Sequence, residues 1–165
     1  MKNYIIYILI FLPIIIGMGI GSIYSSKWKE EKYKNLIKPK FNPPNYIFGI
    51  VWPILYLLIG LSYSNSLYNK FSLNKLNYFI IPIIALIFNF LYTPVFFGNN
   101  GLLYGFIVVI LSLFFAILTF IQFQLYDNSY WFTKHKTAYL LIPYILWLIF
   151  ASYLSYNIYI LNKNV

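Results

Sequence analysis

What most constrains this chain is where its charges are missing. Residues 3–26, 41–69, 76–126 and 137–162 contain no Lys, Arg, Asp or Glu. An ionised side chain at the centre of a bilayer costs at least about 2.5 kcal/mol and is avoided unless it serves a function. A helical span needs roughly 20 predominantly apolar residues. Three of the four gaps fit one helix each, while 76–126 is too long for one and is broken by Gly98-Asn99-Asn100-Gly101, a strong turn signal. The count is five, with spans predicted at 4–24, 46–66, 77–97, 102–125 and 138–161. These runs are apolar on both parities, which excludes the alternation of a membrane barrel strand. The first run, with Lys2 ahead of it and Ser25-Ser26 behind, is longer than the apolar core of a signal peptide and reads as a span. The predicted fold class is all-α: an integral membrane bundle of five transmembrane helices, forming one domain over residues 1–165.

The charges that exist are confined to short stretches. The net charge of +9 comes from twelve lysines against Glu30, Glu31 and Asp127, and only 9% of residues are charged, against about 25% in soluble domains. Lysines flanking apolar runs point to anionic lipid headgroups as the partner, and not to nucleic acid. Six of them fall in the loop 25–45, where Trp28, Tyr33, Leu36 and Ile37 recur between lysines. That pattern suits either an amphipathic segment lying on the headgroups or a solvated loop. One side of the bundle carries Lys27, Lys29, Lys32, Lys34, Lys38, Lys40 and Lys163, and the other carries Lys2, Lys70, Lys75, Lys134 and Lys136. Seven against five favours the first side as cytoplasmic.

Catalysis needs titratable groups or a metal held together, and the spans offer almost none. The acids and the one histidine, His135, fall in loops, and there is no cysteine, so no metal site and no catalytic residue is predicted. The same scarcity speaks against an ion path marked by intramembrane charges. Uncharged polar residues do lie deep in the spans: Asn65, Asn89, Thr93, Ser112, Thr119, Gln122, Ser152, Ser155 and Asn157. Interhelical hydrogen bonding accounts for most of them. Asn89, among the aromatics of FNFLYTPVFFG, is the one expected to face a cavity. Gly17 and Gly21 fit close helix packing, within the bundle or in a homodimer. Pro13, Pro53, Pro82, Pro94 and Pro143 each remove a backbone donor from a span, and kinks there would leave a void.

Three ordered segments resemble the translocator protein family, also called the TspO or peripheral-type benzodiazepine receptor family. They are KPKFNPPNYIFGIVWPILYLLIG (Lys38 to Gly60), FNFLYTPVFFG (Phe88 to Gly98) and LIPYILWLIFASYLSYN (Leu141 to Asn157). The resemblance implies a five-helix bundle around a pocket near the loop between spans one and two, binding tetrapyrroles such as porphyrin and haem, sterols, or benzodiazepine-type ligands. Carried over by position, it places Phe48, Gly49, Trp52, Asn89, Tyr104, Leu111, Trp147, Ala151 and Leu154 in that pocket, with no cofactor beyond a bound tetrapyrrole. It implies a bacterial envelope or mitochondrial outer membrane as host, and a binding role, with transport between membranes and light-dependent porphyrin degradation as alternatives.

The chain also departs from the family pattern. Tryptophans of the family appear as Phe41, Tyr46, Phe90, Tyr92 and Tyr104, and an aspartate of span four as Val108. The sterol motif of span five reads Leu154-Ser155-Tyr156 with Ile160 in place of an arginine, while a looser version runs through Leu154, Tyr159 and Lys163. Ile80 and Ile84 stand where small residues pack some family dimers.

Overall fold

The computed structural model describes residues 2–28, 32–72, 76–126 and 136–163. With no water inside a bilayer, each backbone N–H and C=O must be satisfied within its own segment, so apolar runs of this length become helices. The helices are α1 (Lys2–Trp28), the short α2 (Lys32–Asn35), α3 (Asn45–Ser72), α4 (Ile80–Phe96), α5 (Gly101–Tyr126) and α6 (Ile142–Asn162). Among the described residues, five segments are long and apolar enough to cross a membrane: Ile6–Tyr24, Asn45–Ser66, Asn77–Phe96, Gly101–Leu125 and Thr137–Asn162. Each lies within three residues of its predicted span at both ends. The chain is an integral, multi-pass membrane protein of five transmembrane helices.

The third and fifth spans open with 3₁₀ turns, Leu76–Phe79 and Thr137–Leu141, before α4 and α6 begin. This changes the reading of two prolines. Pro82 and Pro143 sit in the first turns of α4 and α6, where an N–H has no intrahelical acceptor to lose. Only Pro13, Pro53 and Pro94 stand inside a helix. The α4–α5 turn forms as its residues dictate. Asn100 takes a left-handed φ of 50°, which Asn tolerates, and a Cβ on Gly101 would run into the carbonyls of Val95 and Phe96.

Helix α1 packs on α3 and α4, α4 on α5, α5 on α6, and α6 with its 3₁₀ turn on α3, which closes a ring of five. The α1–α3 contact is tightest at Gly60, where a Cβ would overlap the backbone of Ile10. Every span turns large apolar side chains outward, among them Ile15, Ile54, Ile83, Phe114 and Leu146, as a lipid-facing surface requires.

The two ends of the ring are filled differently. Away from the loop 32–44, Ile59, Tyr63, Ala116, Phe123, Leu141, Tyr144 and Leu148 form a closed core. Polar side chains tie this end together. Tyr63 donates to the Pro82 carbonyl (3.2 Å), Ser112 bonds Tyr144 (3.2 Å), Ser66 bonds Thr137 (3.4 Å) and Gln122 donates to the Tyr78 carbonyl (2.7 Å). Ser112 and Gln122 thus make the interhelical bonds expected of them, and Tyr63, Ser66 and Thr137 add others. Thr119, Ser152 and Asn157 instead donate to the carbonyl four residues back in their own helices. The end beneath the loop is not filled in this way.

Candidate functional site

A cavity of about 390 Å³ opens at the loop end of the bundle, between the C-terminal halves of α1 and α4, the N-terminal half of α3 and the stretch of α6 from Trp147 to Ile158. Phe48, Gly49, Trp52 and Tyr56 of α3 form one wall and Trp147, Ala151, Leu154 and Ile158 of α6 another. Asn89, Tyr92, Thr93, Phe96 and Phe97 close it from α4, with Gly17, Gly21 and Ser22 from α1. Helical spacing accounts for each set: 48, 52 and 56 recur every four residues, and 147, 151, 154 and 158 every three or four.

The aromatic rings brace one another. Trp52 stacks on Tyr56 with centroids 5.2 Å apart, and Phe48 meets Trp147 edge-on at 5.7 Å. Tyr56 donates to Asn89 Oδ1 at 3.0 Å, fixing the amide from the α3 side, and Tyr92 bonds Ser155 at 2.7 Å, joining α4 to α6. Gly17 makes room for this arrangement, because a Cβ there would overlap the Tyr56 phenol. Two buried donors on the lining have no acceptor: Nδ2 of Asn89 and Nε1 of Trp147. The Tyr144 hydroxyl lies beside Asn89, close enough to interact with its side chain. Pro53 has no N–H to offer the carbonyl of Gly49, another lining residue.

The loop forms the roof. Tyr33 of α2 and Asn42 line the cavity and share a hydrogen bond of 3.4 Å, with Tyr33 also against Phe96 and Phe97. Burial pushes the Tyr33 phenol above its ordinary range and the bond to Asn42 pulls it part of the way back, so it remains a neutral donor. The Lys38 ammonium lies 4.5 Å from the Tyr33 ring centroid. One side chain fastens the roof to α6: Asn162 accepts from the Ile37 N–H and donates to the Ile37 carbonyl, both at 2.9 Å. The described part of the loop therefore folds inward over the cavity at Tyr33 and leaves Ile37 and Phe41 outside. Trp28 of the predicted amphipathic segment lies outside the residues whose side chains are described, as does His135.

Seven of the nine residues expected in the pocket line this cavity, and Tyr104 and Leu111 do not. The inward stripe of α5 runs through Gly105, Val109, Ser112, Ala116 and Thr119, which turns Tyr104 outward, 51% exposed, and leaves Leu111 half-buried on the flank. The residues of the sterol motif are also separated: Leu154 lines the cavity, while Tyr156 and Lys163, roughly half a turn around the helix, are exposed. Sequence reasoning missed Tyr33, Asn42, Tyr56 and Tyr92. Tyr56 and Tyr92 were within reach, at four residues from Trp52 and three from Asn89, whereas nothing local marks a loop residue as a roof.

The TspO/MBR family pattern matches residues 9–161. The chain belongs to the TspO/MBR family. It is similar to a protein named "Tryptophan-rich protein TspO" of Archaeoglobus fulgidus, 35% identical over 146 residues, which covers 86% of this chain and 87% of that one. A protein of the same name from Chlorobaculum tepidum is 29% identical across 98% of this chain and 99% of its own length. The "Translocator protein homolog" of Schizosaccharomyces pombe is 32% identical, over 92% of this chain and 88% of that one. These relatives carry names of translocator and tryptophan-rich proteins and not of enzymes. As a TspO/MBR member this chain departs from the first of those names, with only four tryptophans, two of which, Trp52 and Trp147, line the cavity.

Proposed function

We propose that this protein is a membrane receptor that holds a flat ring ligand, a tetrapyrrole or a sterol-like molecule, between Trp52 and Trp147. The observation that carries this reading is the pairing of aromatic walls from α3 and α6 with the Asn89 amide in a mostly apolar cavity. Asn89 Nδ2 and Trp147 Nε1 are buried without a partner, and a small side-chain movement that brought either to a ligand oxygen would recover the roughly 1–3 kcal/mol such a donor costs. Dispersion and stacking against the indoles supply the rest of the attraction. Tetrapyrroles suit the site better than sterols, since they offer a conjugated face to both indoles and the sterol motif is divided between inner and outer faces of α6.

Binding is favoured over passage through the bundle because the cavity ends at the packed core around Ile59, Phe123 and Leu141. It is favoured over catalysis because no acid, lysine or histidine is among the described residues lining the cavity. The test is a titration of the purified protein with protoporphyrin IX, read by tryptophan quenching, repeated on Trp52→Ala with Trp147→Ala. Saturable binding in the wild type that is lost in the variant is expected. Unchanged affinity in the double variant would put the ligand elsewhere.

A further inference from the structure

We propose that the turn at residues 39–42 is a docking surface for anionic lipid headgroups of the protein's own membrane. Phe41 and Ile37 enter the headgroup layer, and Lys34 and Lys40 meet lipid phosphates. The proposal does not depend on what the cavity binds. The lysine and aromatic pattern of the loop 25–45 fits an amphipathic segment or a solvated loop, and the height of the loop above the spans separates the two.

Two anchors hold this stretch at the level where the spans end. Asn162, the last residue of the fifth span, bonds both the N–H and the carbonyl of Ile37 at 2.9 Å. Asn45 opens the second span, and Phe41 lies midway between Ile37 and Asn45 in sequence. Between the anchors the Asn42 N–H donates to the Pro39 carbonyl at 3.0 Å, which closes a tight turn with Lys40 and Phe41 at its tip. Asn42 itself faces inward, lining the cavity and accepting from the Tyr33 hydroxyl. Four extended residues reach about 13 Å at most, and a turn shortens that. The headgroup layer is roughly 5–8 Å deep on each side, so the tip of the turn falls in it or close to it.

The side chains left outside suit that layer. Phe41 is 70% exposed and Ile37 51%, and both gain by partial burial among headgroups. Lys34 and Lys40 are exposed, and their apolar stems can follow the rings inward while the ammonium groups stay at phosphate level. Lys38 is committed differently, with its ammonium 4.5 Å from the Tyr33 ring centroid. No Asp or Glu occurs among the described residues, and over 25–45 six lysines stand against Glu30 and Glu31, which lie outside them. A lysine close to an anionic leaflet favours the docked state about fivefold at low salt, so Lys34 and Lys40 together shift the balance by about twenty- to thirtyfold. In a zwitterionic leaflet only the apolar insertion remains. The same loop carries Tyr33 and Asn42 of the roof, so the roof would sit more firmly in an anionic leaflet than in a neutral one.

The chain has no cysteine, so Phe41→Cys gives the full-length protein a single site for an apolar nitroxide spin label. Ile54→Cys, on the lipid-facing side of α3, serves as the reference for a seated span. Each labelled protein is placed in nanodiscs of phosphatidylcholine, with and without phosphatidylglycerol. Collisions of the label with oxygen, which concentrates in lipid, are compared with collisions with a water-soluble nickel complex. Phosphatidylglycerol should shield the label at 41 from the nickel complex and leave the label at 54 unchanged. Lys34→Gln/Lys40→Gln, or high salt, should return the label at 41 to its phosphatidylcholine value. A label at 41 equally open to the nickel complex in both discs would overturn the proposal and leave the tip to a soluble partner. Equal shielding in both discs, indifferent to the two lysines, would show apolar insertion without recognition of charge and would overturn it as well.

Discussion

Asn162→Ala should convert a roofed cavity into a freely exchanging one. The side chain makes two hydrogen bonds of 2.9 Å to the Ile37 backbone, joining the loop to the end of α6. A neutral hydrogen bond is worth about 0.5–1.5 kcal/mol net. Both bonds are exposed, so water replaces much of what is lost, and the lower end of the range applies: about 1–1.5 kcal/mol for the pair. That corresponds to a shift of about five- to tenfold in the balance between closed and open roof. If the roof gates access, both the association and dissociation rates of protoporphyrin IX should rise by this factor and the Kd should change little, because opening is made easier with and without ligand. Stopped-flow tryptophan quenching measures both rates directly. Unchanged rates would refute the gating argument. A weakened Kd with an unchanged association rate would show instead that the loop is part of the binding surface and does not control access.

Five further substitutions test the packing and the site. Gly17→Leu would drive a side chain into Tyr56 and release Asn89, so it should lower the midpoint of thermal unfolding and weaken ligand binding, whereas Gly19→Ala, with open space around it, should do neither. Gly60→Ala meets the Ile10 backbone, which cannot rotate away, and should cost about 1–3 kcal/mol in stability, read as loss of the monodisperse detergent-solubilised peak on mild heating. Asn89→Leu should weaken protoporphyrin IX binding about tenfold by removing a buried donor, while Tyr104→Ala should leave it unchanged; equal effects of the two would contradict the lining described above.

How much of this was legible in the sequence depends on the kind of force involved. The exclusion of charge from a bilayer acts on every residue of a span, so the charge-free stretches, with the Gly98–Gly101 turn dividing the longest, place all five helices to within three residues. The angular position of a side chain depends on neighbours the sequence does not show. Transferring the pocket by position placed Trp52, Asn89 and Trp147 on the cavity, but it failed for Tyr104 because the inward stripe of α5 is fixed by what Gly105 and Val109 pack against. Prolines misled in a related way: Pro82 and Pro143 look like interruptions until the 3₁₀ turns ahead of them show where each helix starts. The roof was the least legible part. Its closure depends on Ile37 meeting Asn162 across 125 residues of chain, through backbone groups that every residue possesses.

The unequal filling of the two ends has a mechanical consequence. Far from the loop, the helices are cross-linked by hydroxyls and amides whose alternative partners in lipid are few, so separating them there is costly. At the cavity end aromatic surfaces surround a void, and the side-chain bonds described between helices there are Tyr56–Asn89 and Tyr92–Ser155, so spreading that end breaks fewer such bonds. The molecule is therefore stiffer in one leaflet than in the other, and a guest that wedges the looser end apart would widen its footprint in a single leaflet. Occupancy would then be felt by the surrounding lipid as a change in the taper of the protein, with no signal required from any polar loop.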